Sequence, residues 1–330
     1  MKIISLKSET SKYTIYGVLF GLLFPIVSSV FEALLNYRNI NFYSIINVQL
    51  TTPLLWIIDT APFFLGLFAR FAGIRQDALK EKNEIINEEL KSARIIQEFF
   101  LPDIPDFKGL EIYYSYLPRE EVSGDFLILN EINSNKLNIF IGDVSGHGIS
   151  AALITSFTIV LINKVYRGMD IKPDTLFNKL NKELINFIPK NKYVTGVYGI
   201  FENKNKRTTF TFSRGGHPYP ILWDAREKTA YLVKTKGDTL GYNVLVEHEV
   251  KTINMESNDV LLLFTDGIIE AVNQNYEDLG FEGLLTIINN VMICEFSLKK
   301  SIELIINKIN LHEGNTNIRD DKILIGFLKK

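Results

Sequence analysis

One cysteine, Cys294, stands among 330 residues, so no disulfide forms within the chain and no thiolate pair is available to hold a metal. A lone cysteine also fits a reducing compartment for the folded part. Cys294 lies in an apolar, helix-like run and reads as structural. Histidine is nearly as scarce: His147, His217, His248 and His312 are scattered without the spacing of a zinc site. Charge of one sign is lacking too. A formal net charge of −2 provides no overall cationic field for nucleic acid, and none is expected as a partner. The chain has no internal repeat, no low-complexity segment and no twelve-residue EF-hand loop.

What is present is unevenly placed. Apolar residues make up 46% of the chain, and they concentrate near the start. Tyr13 to Leu35 spans 23 residues with one charge, Glu32, and Val48 to Ala69 spans 22 with one charge, Asp59. A bilayer core takes roughly 20 apolar residues of helix. Tyr13, Tyr16 and Trp56 are available as interfacial aromatics. Lys2, Lys7 and Lys12 would suit a signal peptide, but no small-residue cleavage site follows them and a second apolar run comes soon after. The expectation is a two-span transmembrane region over residues 1–72. Arg70, Arg75, Lys80 and Lys82 follow the second run, whereas the connecting segment 36–47 holds only Arg38. The positive-inside rule then places both ends, and everything after residue 70, in the cytoplasm. Glu32, close to the end of its run, reads as reaching the headgroups. For Asp59 a sensing or helix-pairing role and a headgroup position stand equal, because a lone charge in lipid is costly. Pro53 and Pro62 imply a second span that is kinked or begins late.

Residues 73–101 change character. Leu79, Ile86, Ala93 and Phe100 recur at heptad spacing, Leu90 falls four after Ile86, and polar Asn83 and Gln97 share the stripe. The pattern predicts a coiled-coil-like linker helix, ended by Pro102, through which the chain forms a homodimer.

From 102 to 330 the pattern is that of a globular domain. Strands are expected over 110–117, 126–131, 137–143, 193–201, 208–213, 260–265 and 322–327, and helices near 150–166, 173–188, 281–291 and 298–310. Leu137, Ile139 and Ile141 alternate with Lys136, Asn138 and Phe140, as in a strand with one better-buried face. Strands come mostly in neighbouring pairs, so the class is α+β, with antiparallel sheets and packed helices rather than a doubly wound parallel sheet.

Four aspartates fall at strand ends or tight turns: Asp125 in EVSGDFLIL, Asp143 in IGDVSGHG, Asp266 in LLLFTDGIIEA and Asp320 in NIRDDKILIG. A carboxylate at the end of a buried strand is costly unless charge or hydrogen bonds compensate it, and a divalent cation compensates several at once. Oxygen-only ligands point to Mg²⁺ or Mn²⁺, with calcium less suited. Taken singly, such an aspartate reads as a turn or helix cap; four in chain order, each on its own strand end, favour a site.

These residues carry a resemblance. The blocks SARIIQEFFLP, PREEVSGDF, GDVSGHGISAAL, RGGHPYPIL, LGY, VLLLFTDGIIEA and RDDKILI resemble the SpoIIE/RsbU-type bacterial serine/threonine phosphatases of the PPM superfamily, over roughly residues 92–328. The resemblance implies two antiparallel sheets sandwiched between helices, with a two-metal centre (Mn²⁺ or Mg²⁺) at one end. Carried over by motif, Asp143 would bridge both metals, the Val144 carbonyl would bind one, Asp266 and Asp320 would bind the other, and Asp125 would hold metal-bound water or complete the coordination of the first metal. The implied activity is hydrolysis of phosphoserine or phosphothreonine by activated water, without a phosphoenzyme, on a regulatory protein such as an anti-anti-sigma factor, at a bacterial cytoplasmic membrane.

His147, in the metal loop, is a candidate for the substrate phosphate. Arg119 is another, although a surface arginine is the plainer reading. His217, in GGHPYP, reads as structural. The chain departs from the family pattern at Leu127–Ile128, Arg214–Gly215 and Ile323, none of them a metal ligand. The residues leave a catalytically silent partner-binding module, or a small-molecule phosphatase, as the other function classes.

Overall fold

The computed structural model describes residues 8–37, 40–166, 169–204, 207–295, 297–314 and 320–330. Lys2, Lys7 and Arg38, which carry part of the orientation reading, lie outside the described residues. The chain divides into two compact units, Met1–Glu89 and Leu90–Lys330.

The first unit is helical: α1 (Glu9–Tyr37), α2 (Phe42–Thr51), α3 (Pro53–Ile58) and α4 (Ala61–Glu98). Two stretches, Glu9–Tyr37 and Pro53–Glu98, are long and apolar enough to cross a membrane by length and composition. The second apolar run, 48–69, is not one helix. Thr52 is extended ahead of Pro53, which starts α3, and the chain breaks again at Asp59–Thr60 before α4. Proline supplies no N–H and pushes the residue before it out of the helical region, so the run breaks where Pro53 stands. α1 and α4 run antiparallel in close contact. A Cβ on Gly21 would fall 2.4 Å from Pro62 Cα, and one on Gly73 would fall 2.5 Å from Thr10 Cα. Small residues allow this approach, the usual device where lipid cannot drive helices together. Asp77 closes the start of α1, accepting the Glu9 and Thr10 N–H groups at 2.8 and 3.0 Å. Asp59 ends α3 and accepts from the Gln49 side chain, whose oxygen accepts from Ser29 Oγ at 2.8 Å. Glu32 is half-buried and accepts from Asn36.

The second unit holds two five-stranded antiparallel sheets. One has the order β1 (Leu110–Leu117), β10 (Lys322–Lys329), β9 (Val260–Phe264), β6 (Ile221–Asp224), β7 (Thr229–Leu232); the other runs β2 (Phe126–Asn133), β3 (Lys136–Val144), β4 (Val194–Lys204), β5 (Arg207–Gly215), β8 (Lys251–Met255). Between the sheets, Ile139, Ile141, Phe201 and Phe210 of the second pack with Leu261, Leu263, Ile323 and Ile325 of the first. Helices α5 (Ile149–Tyr166) and α6 (Pro173–Phe187) cover the outer face of the second sheet, through Ile154, Leu176 and Phe177 on Phe140 and Tyr198. Helices α7 (Gly280–Cys294) and α8 (Leu298–Glu313) cover the first, through Leu284, Ile302 and Ile305 on Leu262 and Leu324. Central strands therefore have two buried faces. β3 corrects the alternating reading: Phe140 and Asn138 are as buried as Ile139 and Ile141, because α5 and α6 cover the face that the pattern left to solvent. Cys294 also departs from expectation: it ends α7 and is exposed.

Candidate metal centre

Antiparallel pairing brings four aspartates to one end of the sheets. β3 runs out at Asp143–Val144, and its neighbour β2 begins just after Asp125, with Phe126 opposite Gly142. In the other sheet β9 runs out into Thr265–Asp266, and β10 begins just after Asp320–Asp321, with Leu324 opposite Phe264. Carboxylate oxygens of Asp125, Asp143 and Asp266 lie within 4.8 Å of one another. Asp320 stands beside this trio rather than in it, close enough for its charge to act on Asp143, Asp266 and Glu270. The Val144 carbonyl belongs to the same cluster: a Cβ on Gly124 would fall 3.0 Å both from that oxygen and from Asp143 Oδ1. Only glycine lets the 119–124 segment lie this close.

The acids are held by hydrogen bonds between the sheets. Thr265 Oγ1 donates to Asp125 Oδ2 at 2.7 Å and accepts the Ile323 N–H at 2.9 Å, joining β9, β10 and the start of β2. Ser123 Oγ accepts the Asp125 N–H at 3.0 Å. Asp321 accepts the N–H groups of Arg119 and Gly124 at 2.7 and 3.0 Å, and Thr155 of α5 donates to the Gly124 carbonyl at 2.7 Å. Gln97, near the end of α4, grips the same segment: it accepts the Ser123 N–H at 2.9 Å and donates to the Ser123 carbonyl at 3.0 Å.

Electrostatically the cluster opposes itself. Burial pushes the Asp125 carboxyl well above the usual range, and the Asp143 charge pushes it further. Asp143 is raised by burial and then by Asp266 and Asp320. Asp266 is pushed to about 6 by burial, Glu270 and Asp320. Converging carboxylates that resist ionisation are stabilised in their charged form by a cation between them. An all-oxygen donor set fits a hard divalent ion such as Mg²⁺ or Mn²⁺.

The remaining candidates separate. His147 is 63% exposed, with Nδ1 at 3.2 Å from Glu120 Oε1. Arg119 is exposed and meets the cluster through its backbone. His217 is buried, its Nδ1 2.9 Å from Thr195 Oγ1, and burial together with Arg214 lowers its pKa to about 3, so it stays neutral. Arg214, one of the departures from the family pattern, donates to the His217 carbonyl at 2.8 Å and stacks on Tyr219, fixing that turn. Asp321, Thr265, Gln97 and Glu270 escaped the sequence reading. Asp321 stands in the Asp-Asp pair and Thr265 directly before Asp266, so adjacency was a signal for both; Gln97 was visible only as a polar residue on an apolar stripe.

The geometry has counterparts. The family described as Stage II sporulation protein E (SpoIIE) matches residues 133–327, more than half of the 330 residues. Phosphoserine phosphatase RsbU of Bacillus subtilis is 26% identical over 191 residues, covering 58% of this chain and 56% of the relative. Phosphoserine phosphatase RsbP of the same organism is 29% identical over 195 residues, covering 57% of this chain and 47% of the relative. The chain thus spans about half the length of the curated relatives it matches. Among solved structures, the SiaA-PP2C domain of Pseudomonas aeruginosa superposes with a TM-score of 0.65 at 16% identity, covering 76% of this chain and 99% of that one, a likeness of fold. With the family matched across the strands that carry Asp143 and Asp266, the chain belongs to the SpoIIE/RsbU-type family of the PPM superfamily.

Proposed function

We propose that this chain is a membrane-anchored bacterial signalling phosphatase that removes phosphate from phosphoserine or phosphothreonine on a regulatory protein. The observation that carries the reading is the convergence of Asp125, Asp143 and Asp266 within 4.8 Å at the ends of paired strands. Asp143, Asp125, Asp266 and Asp320, with the Val144 carbonyl, would hold two divalent cations. When bound, such ions lower the pKa of water and stabilise charge on phosphoryl oxygens.

The chain's own residues do the rest. Thr265 keeps the Asp125 carboxylate in place from the opposite sheet. Gly146 and Gly148, with φ of +86° and +76°, fold the loop after Val144 into a left-handed turn that a phosphate can approach. His147, with Nδ1 engaged by Glu120, has Nε2 left to meet a substrate oxygen. The substrate is a phosphorylated regulator of the anti-anti-sigma type, acting by partner switching; support comes from the family, and from relatives named as phosphoserine phosphatases.

The two long apolar stretches support anchoring in the cytoplasmic membrane, with the phosphatase unit in the cytoplasm. Leu79, Ile85 and Ile86 on α4 are about half exposed, which supports pairing of this helix with a second copy. The test is hydrolysis of a phosphoserine peptide by the chain in detergent, with Mn²⁺, Mg²⁺ or chelator, beside Asp143→Asn. Metal-dependent turnover, reduced more than about 100-fold in the variant, is expected, as for loss of a central charge-stabilising group. Equal turnover in both would overturn the reading.

A further inference from the structure

β10 and α8 meet along an apolar seam. On the strand, Ile323, Ile325 and Phe327 face the core between the sheets, and the alternate positions face α8. Leu324 packs with Ile302, Ile305 and Ile309, and a Cβ on Gly326 would fall 2.9 Å from Leu298. On the helix the buried stripe reads Leu298, Ile302, Ile305, Ile309, Glu313. Both rows therefore end in a charge at the same end of the seam. Lys322 Nζ lies 2.6 Å from Glu313 Oε2, and the two side chains are 2% and 5% exposed.

An ion pair at this depth is a poor source of stability, because desolvation offsets most of its attraction; an apolar pair of similar size serves stability as well or better. Its distinct physical property is position: two buried charges drawn a few ångströms apart lose the attraction that offsets their desolvation, so the pair fixes where the end of α8 sits beside the start of β10. What stands next to it gives that position a purpose. Lys322 directly follows Asp320 and Asp321. Asp320 Oδ1 accepts the Asp321 N–H at 2.8 Å, and the Asp321 carboxylate carries the 119–124 segment. On the other side the backbone is pressed against the turn after Asp266, where a Cβ on Gly267 would fall 2.0 Å from the Asp321 carbonyl oxygen. The ladders to β1 and β9 hold β10 itself, so a shift at the end of α8 would act on the residues just before the strand, Asp320 and Asp321, and through Asp321 on the loop leading to Asp125.

We propose that the buried Lys322–Glu313 pair is a lock that positions Asp320 and Asp321 for metal binding, two residues contributing through their placement rather than by touching substrate. This rests on the metal-centre reading above.

The experiment uses the full 330-residue chain in detergent. Mn²⁺ binding is titrated by electron paramagnetic resonance of the free ion, phosphoserine-peptide turnover is measured against Mn²⁺ concentration, and thermal melting is recorded. Lys322→Met with Glu313→Leu replaces the pair by an apolar one. Mn²⁺ affinity is expected to fall about 10-fold or more, the cost typical of losing a group that orients a ligand. Turnover at saturating Mn²⁺ changes little, and the melting temperature does not fall. Glu313→Gln, which keeps shape but leaves the Lys322 charge buried without its counter-charge, lowers Mn²⁺ affinity at least as much and lowers the melting temperature as well. Parental affinity in both Lys322→Met/Glu313→Leu and Glu313→Gln overturns the lock and leaves the metal centre standing. A parent chain that binds no Mn²⁺ overturns the metal centre and the lock with it. A parent that binds Mn²⁺ without turnover, and loses affinity in the variants, supports the lock and removes only the catalytic reading.

Discussion

On the proposed reading, proton and metal would compete for the same oxygens at Asp125, Asp143 and Asp266. All three carboxyls are raised, Asp266 to about 6. An acid whose folded pKa exceeds its unfolded value holds its proton more tightly in the folded state. Without metal, its stabilising contribution is complete below the unfolded pKa, near 4, and is lost as pH rises through the folded value. His217 acts in the opposite sense. Its pKa of about 3 means that stability is lost as pH falls below the ordinary histidine range, but it does so with or without metal. The difference between melts in Mn²⁺ and in chelator therefore isolates the acids. That difference is expected to be several degrees at pH 7.5 and to shrink below pH 6; a difference that grows on acidification would contradict the assignment of these carboxylates as ligands. At the same scale, Thr265→Val removes one donor to Asp125 and one acceptor for Ile323. A loss of about 1–3 kcal/mol in stability, read by denaturant titration, is expected for a buried polar group left unmatched.

The end of α4 is bonded to the segment that leads to Asp125. The heptad reading of α4 treated Gln97 and Phe100 as parts of one outward stripe. In the structure Gln97 is bonded to Ser123 and Phe100 packs against the core beneath α5 and α6, so the end of the stripe belongs to the phosphatase unit. Gln97→Ala frees the Ser123 backbone, and with it the segment that ends in Asp125. Turnover is expected to fall at least 10-fold while the melting temperature shifts by only a few degrees, as for two neutral hydrogen bonds. Unchanged turnover would mean that this contact is structural alone. Leu90→Glu with Ile86→Glu tests the other part of the helix: the oligomeric state in detergent, by light scattering, should shift toward monomer.

For the molecule as a whole, orientation is the property with a direct readout, and the exposed single cysteine supplies the reporter. Were the phosphatase unit cytoplasmic, an impermeant maleimide would label Cys294 in inside-out vesicles and spare it in right-side-out ones. Labelling from the outside would reverse the orientation drawn from Arg70, Arg75, Lys80 and Lys82.

Some of this protein was settled by its sequence alone. Six of the strands and the four helices of the second unit were legible from their length and pattern, and the five-residue β9 from its unbroken apolar run ahead of Thr265–Asp266; β6, β7 and β8, at four or five residues of mixed character, were not. The four aspartates were legible because Asp-Gly and Asp-Asp punctuation falls directly at the ends of apolar runs. Tertiary structure decided what has no local signature. Whether Phe140 faces solvent depends on α5 and α6 covering it. Whether Gln97 pairs with a second helix or with Ser123 depends on what the fold brings beside it. Lys322, a polar residue in a strand pattern, becomes a buried partner of Glu313 only because β10 lies under the end of α8. Periodicity and turn chemistry act between neighbours in the chain, so a sequence displays them; contacts between distant residues exist only once the sheets are stacked.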